Sequence, residues 1–301
     1  MIDNISEGIE HNQDISRAEI DMKRYLTQDK ISYWLGRDSL YVFNNKKDDV
    51  LPYIQKDKEC TLREKAAQVM AKNTINTGHG IDHHDRTKEL STMIAIVQGF
   101  EYQDVQKIRY ASQIHDISKN LKKGGKGHDW EKTVKISKNI MNDSGIEEDV
   151  VDEVVSIVLD HDKDDPSERG RLGNIVYEAD TLELTYLPRC FQFATAVNAM
   201  KPGTYTMMQG LIDDYTRYHI LVSRPKTYLG KELFEKGKSW AMPALERLEE
   251  TMVSNEINPY FDFLNLDWRS NIQDAPEFLN EILGDYLKQV PRYEIDLVND
   301  L

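Results

Sequence analysis

Between residues 61 and 187, apolar side chains recur at every third or fourth position in six successive runs. This spacing is typical of amphipathic helices that bury one face, so we predict six helices and an all-α fold class. Thr61 is the predicted N-cap of the first helix. Glycine or proline ends four of the runs, at Gly78, Gly99, Gly145 and Pro166. The apolar stripes are Leu62, Ala66, Val69 and Met70; Leu90, Ile94 and Val97; Val105 and Ile108; Val134, Ile136 and Ile140; Val150, Val154, Ile157 and Val158; and Leu172, Ile175, Val176, Ala179 and Leu182.

The segments on either side of this region show weaker patterns. Ile31–Leu35 and Ser39–Phe43 are joined by a turn at Gly36–Asp38, so these two stretches could form a short β-hairpin. Residues 190–301 are predicted to be mostly helical, with prolines interrupting the helices. We therefore expect an N-terminal appendage at residues 1–60, a helical domain at 61–250 and a C-terminal helical extension at 251–301 that packs on the core.

Several polar side chains lie on the apolar faces of the predicted helices. His115 and His161 continue apolar stripes, and Asp180 lies between two apolar residues of its own helix, four positions away on each side. A buried carboxylate or imidazole is costly unless it is paired or bound to metal. Any one of these histidines is most simply a core residue bonded to a backbone carbonyl, but several inward-facing groups on different helices favour a shared site. His84, by contrast, is expected to turn away from the His83 face and to be exposed.

Composition excludes several classes of function. The formal net charge of −14 repels nucleic acid phosphates, so binding to duplex nucleic acid is disfavoured. No apolar run approaches the roughly 18 residues needed to cross a membrane, and the polar start of the chain does not resemble a signal peptide, so we expect a cytoplasmic protein. Cys60 and Cys190 form no CxxC pair, which argues against a thiolate zinc site or a disulfide framework.

A basic, glycine-rich segment follows directly after the adjacent pair His115 and Asp116. Its glycines free the backbone to approach an anion. The segment is either a solvated surface loop or a binding site for a phosphorylated substrate, and its position beside the His-Asp pair favours the second interpretation. Its lysines are Lys119, Lys122, Lys123 and Lys126.

Three motifs give the chain a resemblance to the HD-domain metal-dependent phosphohydrolases. They are His79-Gly-Ile-Asp-His-His-Asp-Arg86, Ile114-His-Asp-Ile-Ser-Lys119 and Tyr177-Glu-Ala-Asp180. The resemblance covers about residues 62–187, with a continuation at 226–233. The chain departs from the family's motifs at Ser118, Glu178 and Thr181.

The resemblance implies an HD-type helical bundle with a divalent metal ion. The implied metal ligands are His83, His115, Asp116 and Asp180. Two imidazoles and two carboxylates suit Mn, Fe, Co, Ni, Zn or Mg. A second metal ion is implied if His128 and His161 both bind.

Catalytic and substrate-binding residues are expected from the resemblance together with the charge and position of the basic segment. Asp116, Lys119 and Arg86 are expected to act in catalysis, with Arg86 either a phosphate clamp or a partner that fixes a carboxylate. The substrate is expected to contact the lysines and three of the histidines, namely Lys119, Lys122, Lys123, Lys126, His79, His128 and His161.

The leading hypothesis is a metal-dependent phosphohydrolase, with manganese among the candidate ions. It would cleave a phosphate ester of a small molecule, a nucleotide by preference, with metal-activated water. One alternative is an HD-type di-iron oxygenase, which shares the fold and uses the extra histidines to hold iron. The other is a non-catalytic regulatory HD protein. The chain could also form a homo-oligomer.

Overall fold

The computed structural model describes residues 31, 34–71, 80–118, 129–163, 165–187, 225–254 and 277–289. No strand occurs among these residues, which confirms the all-α class. Short 3₁₀ helices span Lys47–Asp49, Leu51–Tyr53 and Pro166–Glu168. The α-helices are α1 Arg37–Lys46, α2 Lys56–Ala71, α3 Ile81–Val97, α4 Tyr102–Ile114, α5 Trp130–Asn142, α6 Glu148–His161, α7 Arg171–Glu183, α8 Tyr228–Ser254 and α9 Glu277–Gln289.

The six helices predicted from the apolar stripes correspond to α2–α7. Gly99 follows α3 with φ of 77°, and Gly145 follows α5 with φ of 71°. Glycine takes this left-handed conformation without a Cβ clash, which explains why these helices end there. At the start of α5, the carboxylate of Asp129 accepts a hydrogen bond from the backbone N–H of Lys132 at 3.2 Å.

The prediction that Thr61 caps the first of these helices is wrong. Helix α2 begins at Lys56, and the Thr61 hydroxyl donates to the carbonyl of Asp57 within the helix at 2.9 Å. Asp57 and Glu59 lie in the first turn, where acidic side chains interact favourably with the helix dipole. The polar residues before the apolar stripe therefore extend the helix rather than preceding it.

The predicted β-hairpin is also wrong, because Ser39–Phe43 lies inside α1. Ser39 and Phe43 are four residues apart and both are buried, which is the spacing of one helical face. A five-residue stretch rich in apolar side chains is too short to separate a strand from a helix. The helix gains support from far along the chain, since the Glu232 carboxylate of α8 accepts hydrogen bonds from the Gly36 N–H at 2.5 Å and the Ser39 hydroxyl at 2.9 Å.

Helix α4 has a central place in the fold and packs on α2, α3, α6 and α7. Helix α3 also packs on α7, so the three helices that carry His83, His115 and Asp180 contact one another. Helix α8 packs on α3 and α7, and α9 packs on α8. None of the helices in the described ranges has the length and apolar character to cross a membrane. The predicted division of the chain into three domains stays a prediction.

A buried ionic network joins α2, α3 and α4. Arg109 is 1% exposed and donates to both carboxylate oxygens of Glu59, at 2.7 and 2.8 Å. It also donates to Glu89 at 3.3 Å and to the Thr92 hydroxyl at 2.9 Å. Burial alone would raise the pKa of Glu59, but the charge and hydrogen bonds of Arg109 outweigh it and lower this pKa. The network fixes the register of the helices that lead into the site.

Candidate metal centre

Four predicted metal ligands come together where α3, α4 and α7 meet. His83 lies in the first turn of α3, His115 and Asp116 directly follow α4, and Asp180 lies near the end of α7. One ligand atom from each residue lies within 4.8 Å of the other three, a spacing that could hold a metal ion. The His83 Nε2 atom is 3.1 Å from Asp180 Oδ1 and 4.0 Å from Asp116 Oδ2.

Three of the four candidate ligands are buried, and the fourth is partly exposed. The side chain of His83 is 1% exposed, and those of His115 and Asp116 are 0% exposed. The Asp180 side chain is 25% exposed. Among the described residues, the solvent-accessible part of the cluster is therefore at Asp180.

The hydrogen bonds of the two imidazoles determine which nitrogen faces the cluster. His115 Nδ1 lies 2.8 Å from the Ser112 carbonyl oxygen, and His83 Nδ1 lies 3.2 Å from a carboxylate oxygen of Glu183. A carbonyl or carboxylate oxygen can only accept, so each Nδ1 carries the hydrogen and each neutral ring presents an Nε2 lone pair. These two Nε2 atoms are 3.1 Å apart. A proton or a metal ion at these nitrogens removes the repulsion between the lone pairs, and two imidazoles beside two carboxylates are a donor set that suits a divalent metal ion.

The electrostatics of the cluster also favour positive charge. Burial alone would lower the pKa of His115, yet the carboxylates of Asp116 and Asp180 outweigh it and raise this pKa. Burial alone would raise the pKa of Asp180, but its bonds to His115 and His83 hold that pKa well below its usual range. The Asp180 carboxylate therefore stays ionised at neutral pH, where it favours a cation nearby.

His161 lies beside the four-residue cluster at the end of α6. Its Nδ1 donates to the Val158 carbonyl at 2.6 Å, and its Nε2 is 3.9 Å from Asp116 Oδ1. The ring centre is 5.1 Å from that of His115. The other oxygen of the same carboxylate, Asp116 Oδ2, is 3.6 Å from His115 Nε2. Asp116 therefore presents one oxygen to the cluster and the other to His161.

Arg86 pairs with a buried carboxylate that the sequence patterns did not single out. Its Nε lies 2.9 and 3.1 Å from the two carboxylate oxygens of Glu183, which in turn accepts from His83 Nδ1. Of the two roles considered for Arg86, the geometry matches the partner that fixes a carboxylate. Burial alone would raise the pKa of Glu183, but Arg86 and His83 lower it to about 2. The spacing of three residues between Asp180 and Glu183 was the available signal, because it puts both on one face of α7.

The prediction that His84 is exposed is wrong. His84 is 0% exposed, and its Nδ1 donates to the Gln113 carbonyl at 2.7 Å. Its ring centre lies 4.6 Å from that of His115. At the start of α3 both His83 and His84 are covered by neighbouring helices, so the helix is buried over a wider arc than its apolar residues alone indicated.

Two departures from the resembled motifs have contacts of their own. Ser118 bonds to the Thr133 hydroxyl and lies 3.5 Å from the Asp129 carbonyl, so it ties the segment after Asp116 to the start of α5. Glu178 accepts from the backbone N–H groups of Lys226 and Thr227, at 2.6 and 2.7 Å, just before α8. Both substitutions join the helices around the site without removing a candidate ligand.

The remaining predicted site residues lie outside the described residues, and their roles stay predictions. The two described residues that flank the basic segment, Ser118 and Asp129, lie in contact with each other. The residues concerned are His79, Lys119, Lys122, Lys123, Lys126 and His128.

Comparison of the chain with models of protein families, with curated proteins and with solved structures found no match. Any function assigned to the protein therefore depends on the geometry and chemistry of its own residues.

Proposed function

We propose that the protein is an HD-type metal-dependent phosphohydrolase that cleaves a phosphate ester of a small molecule, with nucleotides as the leading substrate class. The observation that carries the proposal is the pair of Nε2 atoms, from His83 and His115, that face each other at 3.1 Å beside the carboxylates of Asp116 and Asp180. These four residues would hold the ion. A divalent ion held there would lower the pKa of bound water and polarise a phosphoryl oxygen.

The residues around the ligands have complementary tasks in this proposal. Asp116 can use one oxygen as a ligand and the other to orient a water molecule. His161 can take up a proton at Nε2, because its Nδ1 hydrogen is held by the Val158 carbonyl. The substrate would enter on the partly exposed Asp180 side. Positive charge for the phosphate is expected from the basic segment that follows Ser118, through Lys119, Lys122, Lys123 and Lys126.

The test is a screen of the purified protein against phosphorylated metabolites with Mn²⁺, Mg²⁺, Co²⁺ and Ni²⁺. We expect phosphate release from at least one ester, only with metal present. Asp116→Ala should abolish it while the helical circular dichroism signal is kept. Asp152→Ala, at a carboxylate on α6 whose side chain is 63% exposed, is the matched control and should keep full activity. Wild-type activity in Asp116→Ala, or no phosphate release across the panel, would contradict the proposal.

A second candidate function, an HD-type di-iron oxygenase, is favoured by one observation. The two oxygens of Asp116 face different imidazoles, with Oδ2 3.6 Å from His115 and Oδ1 3.9 Å from His161, so Asp116 would be able to supply a ligand to each of two ions. Iron content and oxygen uptake distinguish the two functions. Two iron atoms per chain with oxygen consumption would favour the oxygenase, whereas metal-dependent phosphate release without oxygen uptake would favour the hydrolase.

A further inference from the structure

We infer that Glu183, held by Arg86, is a positioning residue that fixes His83 as the most strongly donating imidazole of the candidate metal centre. The inference rests on the metal-binding half of the proposed function and does not depend on the reaction. It concerns the contact between Glu183 and the Nδ1 atom of His83, on the opposite side of the ring from the Nε2 atom in the cluster.

Glu183 on α7 contacts two residues of α3, Arg86 and His83. Arg86 Nε binds both oxygens of the Glu183 carboxylate at 2.9 and 3.1 Å, and Glu183 Oε2 lies 3.2 Å from His83 Nδ1. The Glu183 side chain is 0% exposed and that of Arg86 is 11% exposed. The Arg86 guanidinium lies 5.2 Å from the centre of the Tyr186 ring. His83 and Arg86 are one turn apart on α3, so the same helix supplies the ligand and the cation that secures its support.

The imidazoles of His83, His115 and His161 differ in what their Nδ1 atoms contact. His115 and His161 each donate to a neutral backbone carbonyl, whereas His83 donates to a carboxylate. A carboxylate fixes the tautomer and the ring orientation, and it also raises the basicity of the imidazole more than a carbonyl does. A buried carboxylate requires a partner of opposite charge, and Arg86 supplies it with a planar guanidinium that a lysine cannot reproduce. Glu183 therefore strengthens the donation of the His83 Nε2 lone pair to a metal ion.

A purely structural role for the Arg86–Glu183 pair would lead to a different result. Such a role would only join α3 to α7, and its loss would lower stability without changing metal affinity. The protein contains a matched pair for comparison, because Arg109 and Glu59 are likewise buried and bonded. Glu59 contacts Arg109 and Gln106, so Glu59→Gln removes a buried carboxylate from an Arg–Glu pair whose described contacts include no histidine.

The experiment measures Co²⁺ affinity of the metal-stripped full chain by calorimetry, and the visible absorption spectrum of bound Co²⁺. We expect Glu183→Gln to weaken Co²⁺ binding ~10- to 100-fold and to shift the Co²⁺ bands. Glu59→Gln should bind within about threefold of wild type, with an unchanged spectrum, although it lowers stability. Glu183→Asp, which keeps the charge, should recover part of the affinity.

Arg86→Lys provides an independent test if Glu183→Gln does not fold. It keeps the charge but loses the planar contact, so we expect intermediate affinity and a shifted spectrum. Wild-type affinity and spectrum in Glu183→Gln, or in Arg86→Lys where it replaces that variant, would overturn the inference. An equal loss in Glu59→Gln would also overturn it. Metal binding needs no substrate, so absent phosphatase activity in the wild type would refute the proposed reaction and leave this inference standing.

Discussion

Removing metal from the wild-type protein should lower its stability. The Nε2 atoms of His83 and His115 lie 3.1 Å apart beside the carboxylates of Asp116 and Asp180, a donor set that would hold a divalent ion only in the folded chain. An ion that binds only the folded chain stabilises it by about 2.7 kcal/mol at a concentration 100 times its Kd. With about 2.1 cal/mol/K of unfolding entropy per residue over 301 residues, each kcal/mol shifts Tm by roughly 1.5–2 °C, so metal at 100 times its Kd should raise Tm by about 4–5 °C.

The assay is thermal unfolding of metal-stripped protein, followed by circular dichroism, at increasing concentrations of Mn²⁺, Co²⁺, Ni²⁺ and Zn²⁺. His115→Ala creates a cavity and starts from a lower Tm, so the quantity compared is the shift on adding metal. That shift should be lost in His115→Ala and retained in the surface variant Asp152→Ala. A wild-type Tm that does not respond to any of the four ions, or an equal shift in His115→Ala, would refute the reasoning from the facing imidazoles.

Three further predictions concern the buried ionic network and the basic segment. Arg109→Met leaves Glu59 and Glu89 buried without their cation, so urea unfolding should show a loss of about 3–5 kcal/mol, and a loss below about 1 kcal/mol would contradict this. The pKa of Glu59 in the folded protein lies below its ordinary value of 4.5. The contribution of its ionised carboxylate to stability is therefore complete above pH 4.5 and is lost as the pH falls through the folded pKa. The free energy of unfolding should therefore fall more steeply from pH 6 to pH 3 in wild type than in Glu59→Gln. Parallel curves of unfolding free energy against pH for the two proteins would contradict this prediction. Substituting glutamine for Lys122, Lys123 and Lys126 should raise KM for a phosphorylated substrate with little change in kcat. A change in stability alone would identify the segment as a surface loop.

Local periodicity predicted the central helices because each one buries a continuous apolar face. The stripes of α2–α7 were sufficient for helix type and for the glycine-terminated ends at Gly99 and Gly145. They also placed His115 and Asp180 on inner faces, and the structure brings both into one cluster. Sequence reasoning failed at Ser39–Phe43, where a short stretch rich in apolar residues is compatible with a strand and with the buried face of a helix.

Contacts between distant parts of the chain could not be predicted from spacing. Arg86 and Glu183 are 97 residues apart, and Glu232 is 196 residues from Gly36, yet each pair forms hydrogen bonds. No local pattern indicates which charged residues will meet across such separations. His84 shows the same limit, since its burial depends on the helices that cover the start of α3.

The sequence by itself determined the residue types of the site and the helix faces on which they lie. The burial preferences of apolar residues repeat with the helical period, so this information is local. Only the tertiary structure decided that the Nε2 atoms of His83 and His115 face each other, since that depends on which acceptors the crossing helices bring to each Nδ1. It also decided that the Nδ1 atom of His83 contacts a carboxylate, that of Glu183, whereas the Nδ1 atom of His115 contacts a backbone carbonyl, that of Ser112.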